Sequence, residues 1–311
     1  MDTVVRTHEL IKDFRVGFWR PRPHRALDGL SLEVPRGGVF GLLGPNGAGK
    51  STTLKILCRL LSPTSGRAEV LGRAPGSIES HRRLGFLPEH PTFYDHLTGD
   101  ELLTYFASLF GYRGTDRVQR MATALNRVGL GDDRRRPIRH YSKGMVQRLG
   151  LAQAILNDPE LVILDEPMSG LDPMGRRDVR ELILELRDEG RTVLFSSHIL
   201  SDAEQLCSRV GILVRGRLVT VGSIGELTTA GDRGWEVVVA GVSPALAEAL
   251  AREGRVRLIS PGRYAVTLPA ATRPEAVIAE LASRGASLVS VAPLGATLED
   301  VFVQSVQEGS A

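Results

Sequence analysis

The segment with the clearest chemistry is glycine-rich and lies between a short apolar strand and a helix. It reads Gly-Pro-Asn-Gly-Ala-Gly-Lys-Ser-Thr and follows the predicted strand Val39–Leu43. Glycines allow backbone N–H groups to surround a phosphate, and the start of the following helix adds a favourable dipole. Lys50 could reach the β- and γ-phosphates of a nucleoside triphosphate, and the Ser51 hydroxyl could bind Mg²⁺. The candidate nucleotide-binding residues of this segment are Gly44, Pro45, Asn46, Gly47, Ala48, Gly49, Lys50, Ser51 and Thr52.

Two adjacent acidic residues follow a second apolar strand, Leu161–Leu164. Asp165 would lie at the carboxyl end of a parallel sheet next to the phosphate loop, where it could bind Mg²⁺. Glu166 would leave the strand end on the other side and polarise a water for in-line attack on the γ-phosphate. A solvated start of a loop is the alternative for an acidic pair at this position. The pattern predicts phosphoryl-transfer chemistry, with Glu166 and Lys50 as catalytic residues.

Alternating strands and helices must position these residues. Apolar runs such as Leu161–Leu164 and Val193–Phe195 are typical of the buried strands of a parallel sheet, so we predict an α/β fold. Helical patterns follow at Met174–Glu189 and Ser201–Cys207. The N-terminal region reads as short strands, and the stretch Val16–Arg25 contains two prolines. We expect no regular element there.

A segment rich in turn residues, Thr228–Gly234, separates two parts of the chain. The order of elements after it is strand, helix, strand, strand, helix, strand, which is the split βαβ order of a small ferredoxin-like unit. Its first helix is predicted at Pro244–Glu253, and a last helix follows at Thr297–Val306. We therefore predict a first domain at residues 1–228 and a small α+β domain at residues 229–311.

The composition excludes several classes of protein. Of the 311 residues, 42% are apolar and 24% are charged, which suits a hydrophobic core and argues against disorder. The net charge of +3 argues against a nucleic-acid-binding surface. No apolar run approaches the roughly 18 residues of a membrane span, and the N-terminus lacks the pattern of a signal peptide. Cys58 and Cys207 lie in apolar helical patterns, as expected for reduced thiols, so we expect a cytoplasmic protein.

Three further segments complete an ordered set of motifs. A Tyr-Ser-Lys-Gly-Met sequence opens the helical pattern of Tyr141–Leu156, Ser169–Pro173 follows the acidic pair, and Ser196–Leu200 lies at a strand end. With the phosphate loop, these motifs resemble the ATP-binding subunits of ABC transporters over residues 3–225. The resemblance implies a P-loop NTPase core of the ABC ATPase type, with an antiparallel β subdomain and a helical subdomain. It also implies ATP and Mg²⁺ as ligands and ATP hydrolysis as the activity.

The resemblance also assigns roles to residues outside the phosphate loop. Ser142 and Gly144 open the signature helix, where a hydroxyl, a backbone N–H and the helix dipole can face a phosphate. In the family they face the nucleotide of the other subunit of a head-to-tail dimer, which implies a homodimer here, with Asp172 at its seam. His198 would contact the γ-phosphate. Phe14 would stack on adenine, and a core phenylalanine is the alternative.

Two motifs depart from the family's pattern. The signature is commonly Leu-Ser-Gly-Gly-Gln, whereas this chain has Tyr141, Ser142, Lys143, Gly144 and Met145. Lys143 is either a charge near a phosphate or a solvated side chain.

The second departure concerns a glutamine that usually follows an apolar strand. Glu89 occupies this position, and we expect it to contact the nucleotide and to bind Mg²⁺ as an oxygen ligand. Its carboxylate would also add negative charge near Asp165 and Glu166.

Aromatic residues are concentrated in the segment from Phe86 to Tyr112. This segment holds seven of the sixteen aromatic residues of the chain. In the family this region receives helices of the membrane subunit, so we expect a separate transmembrane permease as partner. An ordinary helical core is the alternative. The segment Thr297–Phe302 resembles C-terminal extensions of type 2 exporters of drugs, lipids and polysaccharides. The resemblance therefore implies the motor subunit of an exporter, held by its permease at the cytoplasmic face of the membrane.

Three other functions could use this phosphate loop. A soluble ABC ATPase of translation would carry two ATP cassettes, and one of DNA repair would carry a long coiled-coil or zinc-bearing insertion. The sequence shows neither feature, so we expect no nucleic acid partner. A P-loop kinase would need an acceptor site and a lid in place of the signature and the histidine segment.

Overall fold

The structure is a computed structural model. The residues that it describes are 2–17, 22–229, 234–242, 255–269, 272–294 and 297–309. The chain divides into two compact units, of which one comprises Met1–Ile224 and Phe302–Ala311 and the other comprises Gly225–Val301. The domain limits predicted at residues 228 and 229 remain a prediction.

Strands and helices alternate along the described chain. The strands are β1 (Thr3–Val16), β2 (Arg22–Leu30), β3 (Glu33–Pro35), β4 (Gly38–Leu43), β5 (Ser65–Val70), β6 (Leu84–Leu87), β7 (Leu161–Asp165), β8 (Thr192–Ser197), β9 (Arg209–Val214), β10 (Arg217–Ser223), β11 (Trp235–Ala240), β12 (Arg255–Ser260), β13 (Arg263–Leu268) and β14 (Ser287–Pro293). The helices are α1 (Lys50–Leu57), α2 (Ile78–Arg82), α3 (Gly99–Leu109), α4 (Gly114–Arg127), α5 (Lys143–Ile155), α6 (Pro173–Asp188), α7 (Leu200–Leu206), α8 (Ile224–Thr229), α9 (Pro274–Ser283) and α10 (Leu298–Glu308).

The core of the first unit is a six-stranded sheet in the order β10-β9-β4-β8-β7-β6. Strands β4, β6, β7, β8 and β9 are parallel, and β10 returns antiparallel beside β9 as the second half of a hairpin. Every residue of β7 and β8 is buried, which explains why both strands read as continuous apolar runs. Because β8 lies between β4 and β7, the acidic pair is one strand removed from the strand that leads into the phosphate loop.

A second sheet, formed by the N-terminal region, is antiparallel. Its order is β2-β1-β3, and β5 also pairs with β1. The expectation of no regular element at residues 16–25 is wrong, because β1 continues to Val16, β2 begins at Arg22, and Arg15 pairs with Pro23. Proline has no N–H to donate to a neighbouring strand. Because β2 lies at the edge of this sheet, its proline is tolerated.

Helices α3, α4 and α5 pack together as the predicted helical subdomain. The side chain of Thr98 accepts a hydrogen bond from the backbone of Glu101, and the Glu101 side chain accepts one from the backbone of Thr98. This capping box fixes the start of α3. Leu103, Leu125 and Leu149, one from each helix, are fully buried where the three helices meet.

Helix α5 also packs closely against β6. A Cβ placed on Gly85 of β6 would overlap the backbone carbonyl of Ala154, and a Cβ on Gly150 would lie 2.6 Å from a methyl group of Leu87. Each element therefore presents a glycine to the other. These two glycines hold the helical subdomain against the central sheet.

The second unit is a four-stranded antiparallel sheet in the order β12-β13-β11-β14. Val237, Val239, Val266 and Leu281 form a small core between this sheet and α9. The helix predicted at 244–253 lies outside the described residues, so the complete ferredoxin-like order remains a prediction. In the part of the chain that the structure describes, no helix has the length and apolar character needed to cross a membrane.

The contact between α5 and β6 gives a test of the packing. We expect Gly85→Ala to lower the free energy of unfolding by about 1–3 kcal/mol, because the added methyl group forces the two elements apart. Urea denaturation followed by circular dichroism measures this change. Gly225→Ala is the matched control, since a Cβ at Gly225 meets no atom within 4 Å. An unchanged stability of Gly85→Ala would contradict the packing described.

Candidate active site

The phosphate loop occupies the connection between β4 and α1. A Cβ on Gly49, whose φ is +106°, would lie 2.6 Å from the carbonyl oxygen of Ala26 in β2. A Cβ on Gly44 would overlap the carbonyl of Leu213 in β9. Strands β2 and β9 therefore hold the loop from two sides, and only glycine permits these approaches. Helix α1 begins at Lys50, so its free N–H groups face the loop.

Lys50 is buried, and its ammonium group has three oxygen neighbours. Nζ donates to the carbonyl oxygens of Gly44 at 2.7 Å and Pro45 at 3.3 Å. It also forms an ion pair with Oε1 of Glu166 at 3.3 Å. Two of the three donors of the ammonium group therefore have hydrogen-bond acceptors, and its charge is paired with a carboxylate. Phosphate oxygens that enter the loop would compete with Glu166 for one of these donors.

Asp165 is buried at the end of β7 and accepts hydrogen bonds from two hydroxyl groups. Oγ of Ser51 lies 3.0 Å from Oδ1, and Oγ of Ser196 lies 2.7 Å from the same oxygen. Ser196 is in register with Asp165 on the neighbouring strand, and its Oγ accepts the N–H of Glu166 at 2.9 Å. Ser196 was not among the predicted site residues. The signal for it was a hydroxyl group at the end of an otherwise apolar strand.

Glu166 leaves β7 in an unusual backbone conformation. Its φ is +48°, a left-handed value that is uncommon for a residue with a side chain and marks functional sites in many proteins. Oε2 lies 2.9 Å from Nδ1 of His198, the residue directly after β8. A carboxylate only accepts hydrogen bonds, so with Glu166 ionised the hydrogen of this bond is carried by Nδ1. The carboxylate is thus held between an ammonium group and an imidazole.

These groups line a cavity of about 510 Å³. The phosphate loop and the Glu166–His198 pair form part of its wall, and Glu89 and Phe14 contribute side chains from other segments. Asp165 lies behind the wall, in contact with Ser51. The predicted residues that line the cavity are Phe14, Asn46, Gly47, Ala48, Gly49, Lys50, Ser51, Thr52, Glu89, Glu166 and His198.

Three residues that were not predicted also line the cavity: His24, Ala26 and Ser169. His24 and Ala26 belong to β2, and His24 is paired with Phe14 across the β1–β2 hairpin. The signal for them was hidden by the prolines, which argued against a strand at this position.

The residues expected to face a second subunit lie elsewhere. Ser142 is the N-cap of α5, with Oγ accepting the N–H of Met145 at 3.2 Å. Asp172 is the N-cap of α6, with Oδ1 accepting the N–H of Gly175 at 2.9 Å. Together with Gly144, they are absent from the lining of the cavity of the same chain. Ser142 and Asp172 are exposed, and both satisfy free N–H groups at the start of a helix.

The signature helix contacts the segment that follows the acidic pair. The side-chain amide of Gln147, which is buried in α5, donates to the carbonyl oxygen of Pro167 at 3.2 Å. The side chain of Lys143 lies across Gly170, where a Cβ would be 2.5 Å from Nζ. The signature and the segment after Glu166 are therefore tied together within one chain. Gln147 was not predicted; its signal was a polar residue on an apolar helix.

A further buried acid lies in α7, close to the Glu166–His198 pair. Burial raises the pKa of the Asp202 carboxyl, the charge of Glu166 raises it further, and Arg180 and Arg176 oppose the shift. Its Oδ2 is buried and has no hydrogen-bond partner in the described structure. Asp202 is thus an electrostatic neighbour of the site that sequence patterns did not indicate.

The donor set near the loop fits Mg²⁺ held together with a phosphate ligand. Among the described residues, no group of three or more His, Cys, Asp or Glu side chains could hold a metal ion alone. Ser51 and Asp165 present a hydroxyl and a carboxylate oxygen 3.0 Å apart, and Glu89 lines the same cavity. Magnesium is commonly bound by one or two carboxylates together with substrate phosphates and water. The residues present therefore fit a metal that arrives with a nucleotide.

Comparisons with known proteins agree with this geometry. Residues 27–169 match the family model described as ABC transporter. An uncharacterised ABC transporter ATP-binding protein of Synechocystis is 44% identical over 308 residues, which cover 98% of this chain and 85% of that protein. The fluoroquinolones export ATP-binding protein of Mycobacterium tuberculosis is 43% identical over 210 residues, which cover 67% of this chain and 68% of that protein.

A solved structure shows the same fold. The ATP-binding subunit of an ABC transporter superposes with a TM-score of 0.63 and 30% identity, covering 72% of this chain and 91% of that one. The predicted α/β fold of the ABC ATPase type is confirmed. The motifs, the fold and these relatives lead to one conclusion: the chain belongs to the ATP-binding proteins of ABC transporters.

Proposed function

We propose that this chain binds MgATP in the cavity beside its phosphate loop and hydrolyses it to drive a separate membrane permease, as the motor subunit of an exporter. The observation that carries the proposal is the linked set of Lys50, Glu166 and His198 at the edge of the loop. A cation for phosphate, a carboxylate for a water and an imidazole for the γ-phosphate are within reach of one bound ligand.

Nucleotide binding replaces one of the oxygen atoms that contact the ammonium group of Lys50. The carbonyl oxygens of Gly44 and Pro45 keep the ammonium group in place, while a phosphate oxygen takes the position of the Glu166 carboxylate. The N–H groups of the loop and the start of α1 bind the remaining phosphate oxygens. Phe14, on the cavity wall formed by β1, stacks on the adenine ring.

Ser51, Asp165 and Glu89 are the residues that would hold Mg²⁺. When bound, the ion neutralises charge that develops on the β- and γ-phosphate oxygens. The two hydroxyl groups at Asp165 restrict the orientation of its carboxylate, so Ser196 acts as a positioning residue for the metal ligand.

Glu166 is the proposed general base for the attacking water. The exchange at Lys50 releases Oε1, while Oε2 remains bound to Nδ1 of His198 and keeps the carboxylate oriented. Nε2 of His198 is then the ring nitrogen that can contact the γ-phosphate, and it donates a hydrogen bond when the imidazole is protonated. The left-handed backbone of Glu166 directs its side chain to this position.

We further propose a head-to-tail homodimer in which each ATP lies between two copies. Ser142 and Gly144 lie at the solvent-accessible start of α5 and do not line the cavity of their own chain, which leaves them free to face the nucleotide of a partner. The Ser142 hydroxyl accepts a bond from the backbone and keeps its own hydrogen for a phosphate oxygen. Asp172 begins α6 beside the same surface and lies at the proposed seam.

The permease is proposed to dock on the aromatic region of the helical subdomain. A groove of about 690 Å³ is lined mainly by aromatic and aliphatic side chains, of which Tyr94 and Tyr105 are 71% and 57% exposed. Phe93 and Phe106 pack against the core beneath it. Both explanations of the aromatic cluster, core and docking surface, are thus supported by different residues. Such a groove suits an apolar helix of a partner.

Export is supported by the relative of Mycobacterium tuberculosis named for fluoroquinolone export. ATP-binding subunits of this family pair with membrane permeases, and docking would hold this chain at the cytoplasmic face of the membrane. We propose residues 1–228 as the ATP cassette and residues 229–311 as an accessory domain.

The first prediction on function concerns Glu166 as the general base. We expect Glu166→Gln to lower ATP hydrolysis by about 10²–10⁴-fold, because the amide cannot accept the proton of the water, and to spare ATP binding, because the variant only removes a competitor of the phosphates for Lys50. Phosphate release and equilibrium binding of a fluorescent ATP analogue measure the two quantities. Glu204→Gln, exposed on α7, is the control and should behave as wild type. Hydrolysis by Glu166→Gln near the wild-type rate would remove Glu166 from its proposed role.

The second prediction tests the shared sites of the homodimer. Ser142→Ala and Glu166→Gln are each expected to be nearly inactive, since each damages both sites of its own dimer. In a mixed dimer, one site combines the intact Glu166 of one subunit with the intact Ser142 of the other. Random mixing should therefore restore about one quarter of wild-type ATP hydrolysis. A mixture that forms dimers but regains no activity would contradict the head-to-tail arrangement.

The third prediction concerns the groove. We expect the double variant Tyr94→Ala/Tyr105→Ala to lose copurification with the membrane permease, because it removes the exposed rings of the groove, while ATP binding by the isolated chain is retained. The control is Leu109→Ala. Leu109 is an exposed apolar residue of α3, the helix that carries Tyr105, and it lies outside the groove. Copurification of the double variant at the level of the control would exclude this surface as the docking site.

A further inference from the structure

The cavity has a side that the phosphate chemistry leaves unexplained. Three of its described lining residues carry aromatic rings: Phe14, His24 and His198. His198 is bound to Glu166 at the catalytic end. Phe14 and His24 are therefore the ring surfaces left for the base of a nucleotide whose phosphates occupy the loop.

The β1–β2 hairpin pairs the two residues that carry these rings. Phe14 and His24 are directly opposite in the antiparallel register, so their side chains project from the same face of the sheet. Directly paired residues have Cβ atoms about 4.5–5.5 Å apart, so both side chains are close enough to contact the same bound ring. Ala26, two residues further along β2, also lines the cavity.

Ion pairs on neighbouring residues hold this register. Arg25 donates from Nε to Oδ1 of Asp13 at 2.9 Å and from Nη1 to Oδ1 of Asp28 at 3.0 Å. Arg217 of β10 also donates to Asp28, at 2.7 Å. The hydrogen bond from Arg25 holds the pKa of the Asp13 carboxyl below its ordinary value. Since Asp13 and Arg25 adjoin Phe14 and His24 in sequence, these contacts keep Phe14 and His24 opposite each other.

Phe14 itself is supported on one side by a lysine. Nζ of Lys12 lies 5.1 Å from the centre of the Phe14 ring and donates to the carbonyl oxygen of Ser62 at 2.8 Å. The ammonium group is thus fixed to the backbone while it contacts the ring. This contact limits the movement of Phe14 and keeps its ring beside His24.

We propose that His24 is a second base-contacting residue, whose imidazole extends the Phe14 ring into one platform on which the base of the bound nucleotide stacks. This inference rests on the proposed nucleotide site. Stacking on a ring depends little on which base is bound. The platform therefore contributes to affinity for ATP and for GTP, and it contributes nothing to ligands without a base.

The test compares nucleotide binding with binding of inorganic tripolyphosphate by the full chain, using isothermal titration calorimetry. We expect His24→Ala to weaken ATP and GTP binding by about tenfold each, and to leave tripolyphosphate binding unchanged. His24→Phe keeps a ring at this position and should retain wild-type ATP affinity within about twofold. His8→Ala is the matched control, because it removes an exposed histidine from the same sheet outside the cavity.

The possible results separate this inference from the proposed function. Wild-type ATP affinity in His24→Ala would overturn the platform and leave the nucleotide site intact. An equal loss for ATP and tripolyphosphate would also overturn it, because the loss would then not concern the base. No ATP binding by the wild-type chain would overturn both proposals.

Discussion

The buried ion pair between Lys50 and Glu166 is the interaction on which the rest of the site depends. The side chains are 6% and 9% exposed, and such a pair is stable only when the remaining polar atoms of both groups have partners. Carbonyl oxygens of the phosphate loop bind the ammonium group, and His198 binds the free carboxylate oxygen. The pair thus joins the loop, the end of β7 and the end of β8 at one point.

The order of strands determines which residues can support this pair. Strand β8 separates β4 from β7, so the Ser51 hydroxyl reaches Asp165 across the end of the strand between them. Ser196, on that middle strand, donates to Asp165 and accepts from the backbone of Glu166. An apolar residue at position 196 would leave the buried N–H of Glu166 without this acceptor, at a cost of about 1–3 kcal/mol.

The exposed residues Ser142 and Asp172 have a structural role at helix starts, and this role is compatible with binding an anion. Ser142 and Asp172 cap helices, which explains their residue types without any ligand. The same helix starts present N–H groups and a favourable dipole to an anion from another chain. Gln147 and Lys143 connect the signature helix to the segment after Glu166, so the start of this helix is tied by contacts to the region of Glu166.

By itself, the sequence determined the elements whose chemistry is local. The phosphate loop and the acidic pair were predicted because each is a short pattern whose backbone geometry follows from neighbouring residues, whereas the role of His198 came from the resemblance. The same is true of the buried strands, whose apolar runs require only that both faces be covered. Glu89 and Phe14 were predicted from resemblance, and both line the cavity.

Only the tertiary structure decided the contacts between distant segments. The bond between Ser51 and Asp165 joins residues 114 positions apart, and that between Ser196 and Asp165 joins residues 31 apart. Pro23 misled the prediction because a proline at a sheet edge costs little, and sequence does not state which strand lies at an edge. His24 was missed as a cavity residue for the same reason. Partners of this kind follow from strand order and register, which depend on how whole elements pack.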